Sequence, residues 1–282
     1  MIGRTPDRIA LIAGNGVYPE TFARAARRAG VKELAAAAFI DETKPELAGL
    51  VDAIEWFRVG QLGKMISFFK KHGVEHAVMV GQIAPKNLFT LRPDFRTLLM
   101  LARLRKRNAA TLFGAIADEL AKEGIDLLPA TTFLEDCIPG TGHVAGPKPK
   151  KRRWDDAQFG FEIAKASSHL EIGQTVVVKN GTVLAVEAFE GTNEALKRGG
   201  TLGRGGATMV KVSKRGQDMR FDVPVVGPDT IAAAAEAEVD VIAVEAGKTL
   251  LLEKDEVLAR CERLKVTLLA MGEDGAKPES AQ

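Results

Sequence analysis

The stretch RIALIAGNGVYPETFARAARRAG, Arg8 to Gly30, decides the fold. Its first residues form a short apolar run that ends at Gly14, which suits a buried strand. Pro19 and Glu20 then suit the first turn of a helix that closes at Gly30. A strand, a glycine turn and a helix open a parallel α/β layer.

The rhythm continues. ELAAAAFI (33–40) is a second apolar run, undecided between strand and helix because alanine favours helix. GQLGKMISFFKKHG (60–73) has the spacing of an amphipathic helix stopped by Gly73, and EHAVMVGQI (75–83) that of a strand. NAATLFGAIADELAKEG (108–124) predicts a helix and IDLLPAT (125–131) the next strand. Residues 1–134 are therefore expected to form a Rossmann-like domain with a parallel sheet.

From Pro139 the texture changes. PGTGHVAGPKPKKRRWDD (139–156) is rich in proline, glycine and basic residues, so 135–154 is expected to be a linker or functional loop. Residues 155–282 then predict a mixed α/β domain. QTVVVKNGTVLAVEA (174–188) places Asn180-Gly181 between two alternating runs, a hairpin signal. ATMVKVS (207–213) and the start of MRFDVPVVGPDT (219–230) are expected strands, and PDTIAAAAEAEV (228–239) a helix.

Composition narrows the class. The 282 residues are 46% hydrophobic and 27% charged, with 39 − 37 = +2 formal charges. That balance excludes a polyanion binder that works by net charge, and leaves only local basic clusters. Cys137 and Cys261 make no disulfide framework, and a reduced, cytoplasmic protein is expected. The first residues carry too short an apolar run for a signal peptide, and no run approaches a membrane span. LFTLRPDFRTLLMLARLRKR (88–107) spaces apolar residues for a helix and rings them with arginines. It fits core packing with a solvated basic face, or a surface for acyl chains and anionic headgroups.

Four features could carry chemistry. Gly14, Asn15 and Gly16 form a strand-to-helix turn of the kind that holds phosphate, although the GxGxxG spacing fails. The run Gly199 to Lys214 carries glycines that include Gly205 and Gly206, with Lys211 beyond, and could cradle a phosphate or form a mobile loop. Asp222 interrupts an apolar run, where a carboxylate could bind Mg²⁺ or face water. Asp229 follows Pro228 at a helix start, where a cap is the ordinary reading. The histidines show no zinc spacing beyond the pair His72/His76, which Gly73 interrupts.

Taken in order, LIAGNGVYPE, GQLGKMISFFKKHG, VMVGQI, EDCIPGTG, AFEGTNEA, GGATMVKVSK and MRFDVPVVGPDT resemble the LpxI family of UDP-2,3-diacylglucosamine pyrophosphatases, over about Ile9 to Met271. The resemblance implies two α/β domains joined by a linker, with substrate in the cleft between them. It implies a lipid A enzyme of a Gram-negative bacterium, dependent on Mg²⁺ or a similar divalent ion. The products would be UMP and 2,3-diacylglucosamine 1-phosphate, formed by attack of water on the sugar-side phosphorus. On this reading Asp222 is the catalytic carboxylate and metal ligand, and Asp229 the second choice. Gly14, Asn15 and Gly16 fall to the nucleotide end. Thr192, Asn193, Glu194, Gly205, Gly206 and Lys211 fall around the diphosphate. The expected partner is a lipid-linked UDP-sugar rather than nucleic acid; peripheral contact with the inner membrane and self-association stay open. The rival class is a non-catalytic protein that binds a nucleotide or lipid diphosphate.

Overall fold

A computed structural model of the chain describes residues 5–83, 93–106, 109–214 and 216–278. Two units are present. The first comprises Met1–Glu135 with Asp218–Asp222, and the second Asp136–Gln217 with Val223–Gln282.

In the first unit the elements run β1 (Arg8–Ala13), α1 (Tyr18–Arg28), β2 (Glu33–Phe39), β3 (Ala53–Phe57), α2 (Leu62–Lys71), β4 (His76–Val80), α3 (Phe95–Arg103), α4 (Ala109–Ala121) and β5 (Asp126–Leu127). The five strands form one parallel sheet in the order β3-β2-β1-β4-β5. The alanine run is a strand, paired with β1 on one side and β3 on the other. Ala35 to Ala38 are all buried. Pairing on both edges and burial on both faces override alanine's helical preference.

The order in which strands are added reverses between β1 and β4, and there the backbones nearly touch. A Cβ added to Gly14 would lie 2.6 Å from the Gln82 carbonyl oxygen, and one on Gly81 2.7 Å from that of Asn15. The Gly14 N–H donates to Val80 O at 2.8 Å and the Asn15 N–H to Gln82 O at 2.7 Å. No side chain fits in that seam.

The second unit runs β6 (Gly142–Ala145), α5 (Lys151–His169), β7 (Thr175–Lys179), β8 (Thr182–Val186), α6 (Thr192–Gly203), β9 (Ala207–Lys211), β10 (Val225–Val226), α7 (Pro228–Glu236), β11 (Val239–Glu245), β12 (Leu250–Leu251), α8 (Lys254–Leu264) and β13 (Thr267–Met271). Its main sheet has the order β6-β13-β11-β9-β7-β8. β9, β11 and β13 are parallel, and β6, β7 and β8 pair antiparallel. The expected hairpin is present: Asn180 and Gly181 both take positive φ, as its two-residue turn requires. The buried Asp156 carboxylate receives the Gly181 N–H at 3.0 Å.

Three local expectations change. Residues 135–154 hold more than a linker, because Gly142–Ala145 pairs with β13 and Lys151 begins α5. Gly146 and Pro147 are tied down as well: the Gly146 N–H reaches Glu262 Oε1 at 2.8 Å, and Thr267 Oγ1 donates to Pro147 O at 2.8 Å. Nor does Asp222 lie in a strand. Met219–Phe221 is a turn, the Asp222 N–H donates to Asp218 O at 3.0 Å, and pairing starts only at Val225. The segment Asp218–Asp222 belongs to the first unit, so the aspartate expected in the C-terminal domain is carried by the N-terminal one. Of the basic helix expected over Leu88–Arg107, Leu88–Arg92 and Arg107 lie outside the described residues, and α3 covers the middle. Among the described residues no helix is long and apolar enough to cross a membrane.

The glycines of 199–203 have a packing role. They lie in α6, where a Cβ on Gly199 would sit 2.5 Å from the Val177 side chain and one on Gly200 1.9 Å from Ala237 O. A backbone carbonyl cannot rotate away as a side chain can. Gly200→Ala should therefore destabilise by about 2–3 kcal/mol through overpacking. Gly114→Ala, with nothing within 4 Å of the new methyl, should stabilise by up to ~1 kcal/mol. Thermal or urea unfolding of both variants checks this; equal effects would remove the close-packing explanation.

Candidate functional site

In the second unit β9 and β11 are parallel, so Lys211 and Glu245 emerge at the same sheet edge. The Lys211 ammonium donates to Thr192 Oγ1 at 3.1 Å, and that hydroxyl donates to Glu187 Oε1 at 2.8 Å. Thr192 is the first residue of α6, and Gly191 before it takes φ 86° to admit the turn. A half-buried lysine beside a helix start can hold an anion. Of the residues expected around a diphosphate, Thr192 and Lys211 are thus brought together. Asn193 is exposed on the same first turn. Glu194 is exposed and pairs with Lys197 at 2.8 Å.

Gly205 and Gly206 are at the other end of β9. They make the turn from α6 into the strand, roughly 17 Å from Lys211 by strand rise. Their backbone is already engaged: Lys179 Nζ donates to Gly203 O at 2.6 Å and Gly205 O at 2.7 Å, while Arg153 binds Gly206 O. The Gly206 N–H faces the Asp240 carboxylate at 3.2 Å. A carboxylate on that amide disfavours a second anion.

Asp222 is half-buried in the first unit. Three contacts fix its segment. The Ala130 N–H donates to Met219 O at 2.9 Å, the Phe221 ring packs 5.7 Å from Phe113, and Arg220 forks onto the Asp218 carboxylate at 2.6–3.1 Å. The Arg220 guanidinium holds the Asp218 carboxyl below its ordinary value. Asp218 is therefore committed to Arg220. Asp229 caps nothing, because Gly227 occupies the cap position; its side chain is 97% exposed, 3.5 Å from Arg260. Among the described residues no three acids, histidines or cysteines cluster to cage a metal.

Gly14, Asn15 and Gly16 stand at the C-terminal end of β1. The Asn15 side chain accepts the Gly16 N–H at 2.6 Å, which closes the turn on itself. Beside it is a cavity of about 110 Å³, lined by residues that include Gly14, Gly81, Met65, Met79, Met100 and Phe221.

Two family comparisons cover the chain: the LpxI N-terminal domain matches residues 8–137 and the LpxI C-terminal domain residues 140–269. The chain belongs to the LpxI family. It is also similar to the UDP-2,3-diacylglucosamine pyrophosphatase LpxI of Caulobacter vibrioides, 28% identical over 277 residues, which span 94% of this chain and 97% of that protein.

The sequence reading of this LpxI family member missed a buried polar network at the same edge as Lys211. Glu245 closes β11 and is 3% exposed. Its carboxylate binds Lys165 at 2.6 Å, Lys248 at 2.8 Å, and the Ser213 amide and hydroxyl at 2.8 and 2.7 Å. An acid ending an apolar strand in VDVIAVEAG was the available signal, the same one that drew attention to Asp222. Burial alone would raise the Glu245 carboxyl, but Lys165, Lys248 and Ser213 outweigh it and hold the group at about 2, against an ordinary 4.5.

A depressed carboxyl stabilises the fold above its unfolded value and loses that contribution as pH falls through the folded one. Stability should therefore drop as pH is lowered from 4.5 toward 2. Glu245→Gln should cost on the order of 3 kcal/mol at neutral pH and flatten that acid limb. Melts of both proteins from pH 7 to pH 2 check it; an unchanged acid limb in the variant would assign the slope to other carboxylates.

Proposed function

We propose that this chain hydrolyses UDP-2,3-diacylglucosamine to UMP and 2,3-diacylglucosamine 1-phosphate, a step of lipid A biosynthesis in a bacterium. The observation that carries the reading is the match of both halves to the two LpxI domains, together with near-complete coverage of a relative named for this activity. Asp222 is the carboxylate for the reaction: it is half-buried, and its nearest acid in sequence, Asp218, is neutralised by Arg220. It orients and deprotonates the attacking water. Thr192 and Lys211 contact a phosphate oxygen, and Asn193 extends that contact.

The donor set fits Mg²⁺ held chiefly by substrate. The absence of a three-residue cage among the described residues suits a cation that keeps waters and takes substrate phosphates as ligands. Asp222 would be the protein ligand, and the cation would supply charge neutralisation at the diphosphate. The protein works in the cytoplasm, against the inner membrane. α3 supports that placement: Phe95, Leu98 and Leu99 are 75%, 51% and 46% exposed, with Arg103, Arg105 and Lys106 exposed at its C-terminal end. Apolar side chains beside cations suit an anionic bilayer surface.

Asp222→Ala should lose at least roughly a hundredfold in turnover, the lower end for a positioned acid–base group, and remain folded. Asp229→Ala should turn over like wild type, because its carboxylate is almost wholly in solvent. Steady-state UMP release with melting curves decides between them. A dead Asp229→Ala with an active Asp222→Ala would reverse the assignment, and substrate binding without turnover in the wild type would favour the non-catalytic class.

Membrane placement has its own test. Leu98→Ser, Leu99→Ser, Arg103→Gln and Arg105→Gln combined should weaken binding to anionic phospholipid vesicles, read by sedimentation, at least roughly thirtyfold, in line with about 1 kcal/mol for each of the two cations removed near such a surface. Sedimentation equal to wild type would make α3 an ordinary solvated helix.

A further inference from the structure

The loop between β8 and α6, Glu187 to Gly191, carries two acids. Glu190 ends on the cation of Arg198 at 2.6 Å, as Glu194 of the next turn does on Lys197 at 2.8 Å. Glu187 turns to a hydroxyl instead. Its backbone is pinned twice. The Glu187 N–H donates to Thr175 O at 2.8 Å, and Gly173 lies so close that an added Cβ would sit 2.0 Å from Glu187 O. The carboxylate then accepts the Thr192 hydroxyl at 2.8 Å, and the Lys211 ammonium donates to that same hydroxyl at 3.1 Å. A carboxylate only accepts and an ammonium only donates, so the one proton of Thr192 Oγ1 points at Glu187 and a lone pair at Lys211. The wholly buried Thr175 hydroxyl lies 3.5 Å from the same oxygen. The Lys211 backbone is fixed as well, between Thr175 on β7 and Val244 on β11. Its ammonium stands on a flexible four-carbon stem, so a side-chain anchor decides where the charge sits.

We infer that Glu187 is a positioning residue: through the Thr192 hydroxyl it sets Lys211 where the substrate's diphosphate arrives. The inference rests on the phosphate role proposed above for Lys211 and Thr192, and adds what orients them. Glu187 itself makes no phosphate contact, because two anions side by side repel. Thr192 meets the diphosphate through its backbone N–H, which belongs to the first turn of α6 and has no partner within the helix. Its hydroxyl serves Lys211. Removal of the Glu187 acceptor lets that hydroxyl swing its proton toward Lys211. Two donors then face each other, and the ammonium leaves Thr192. Lys211 holds the diphosphate in ground and transition state alike, so the loss falls on KM rather than kcat.

The test follows UMP release from UDP-2,3-diacylglucosamine and, in a calorimeter, the binding of inorganic pyrophosphate to the full-length protein. Glu187→Leu should raise KM and weaken pyrophosphate binding roughly tenfold, the loss of one hydrogen bond to a charged group, with kcat within about twofold. Glu187→Gln keeps a carbonyl acceptor for Thr192 and should stay within about threefold of wild type. In a Lys211→Met background Glu187→Leu should add nothing, because its effect passes through that lysine. Thr192→Val removes the hydroxyl and keeps the backbone N–H; it should match Glu187→Leu, and it decides if Glu187→Leu fails to fold. KM and pyrophosphate affinity equal to wild type in a folded Glu187→Leu overturn the inference, even if its melting temperature falls. So do equal losses in Glu187→Gln and Glu187→Leu, or an undiminished loss in the Lys211→Met background. UMP release by the wild type separates the two readings. Pyrophosphate binding that depends on Glu187 through Lys211, with no UMP released, keeps the positioning and removes the hydrolase. UMP release indifferent to Glu187→Leu and Thr192→Val does the reverse.

Discussion

The first unit is organised by one contact without side chains. Gly14 and Gly81 bring the ends of β1 and β4 so close that a methyl on either would strike backbone. That approach fixes the point where the strand order of the parallel sheet reverses, and hence the floor of the crevice above it. It also removes the space a phosphate would need. The remaining lining is then free to be methionine, leucine and phenylalanine, and the segment that carries Asp222 is held in the same unit by Phe221 and the Met219 carbonyl.

The second unit solves the opposite problem. Its strand ends carry charge, and burial makes that charge costly unless it is fully paired. Glu245 meets this with two lysines and both polar groups of Ser213. Lys211 donates to Thr192 at the start of α6, where the helix end favours an anion.

Much of the fold was legible because the signals were local. Pro19 at a helix start, Asn180-Gly181 in a two-residue turn and Gly73 after a helix each act within a few residues. Where reading failed, the cause was distant. Gly199 and Gly200 were read as a loop, since spacing cannot tell that they press on Val177 and Ala237. Gly142–Ala145 was read as linker because its partner strand, β13, lies some 125 positions on. The apolar neighbours of Asp222 suggested a strand, yet Phe221 packs on Phe113, more than a hundred residues earlier. The cavity was invisible for the same reason: Met65, Met79 and Met100 belong to three different elements. Of the candidate site, the family resemblance names Thr192 and Lys211 separately, and only the fold shows that the two meet, whereas Glu245 escapes notice although it too is an acid closing an apolar run.

The central claim is that water cleaves a phosphoanhydride on this protein. It is tested most directly by incubating wild-type protein with UDP-2,3-diacylglucosamine and Mg²⁺ in ¹⁸O-enriched water and following both products by ³¹P NMR and mass spectrometry. The account predicts UMP and 2,3-diacylglucosamine 1-phosphate in equal amounts, with a single ¹⁸O atom in one of the two phosphates at each turnover. Intact substrate bound to folded protein, with no labelled phosphate formed, would contradict it.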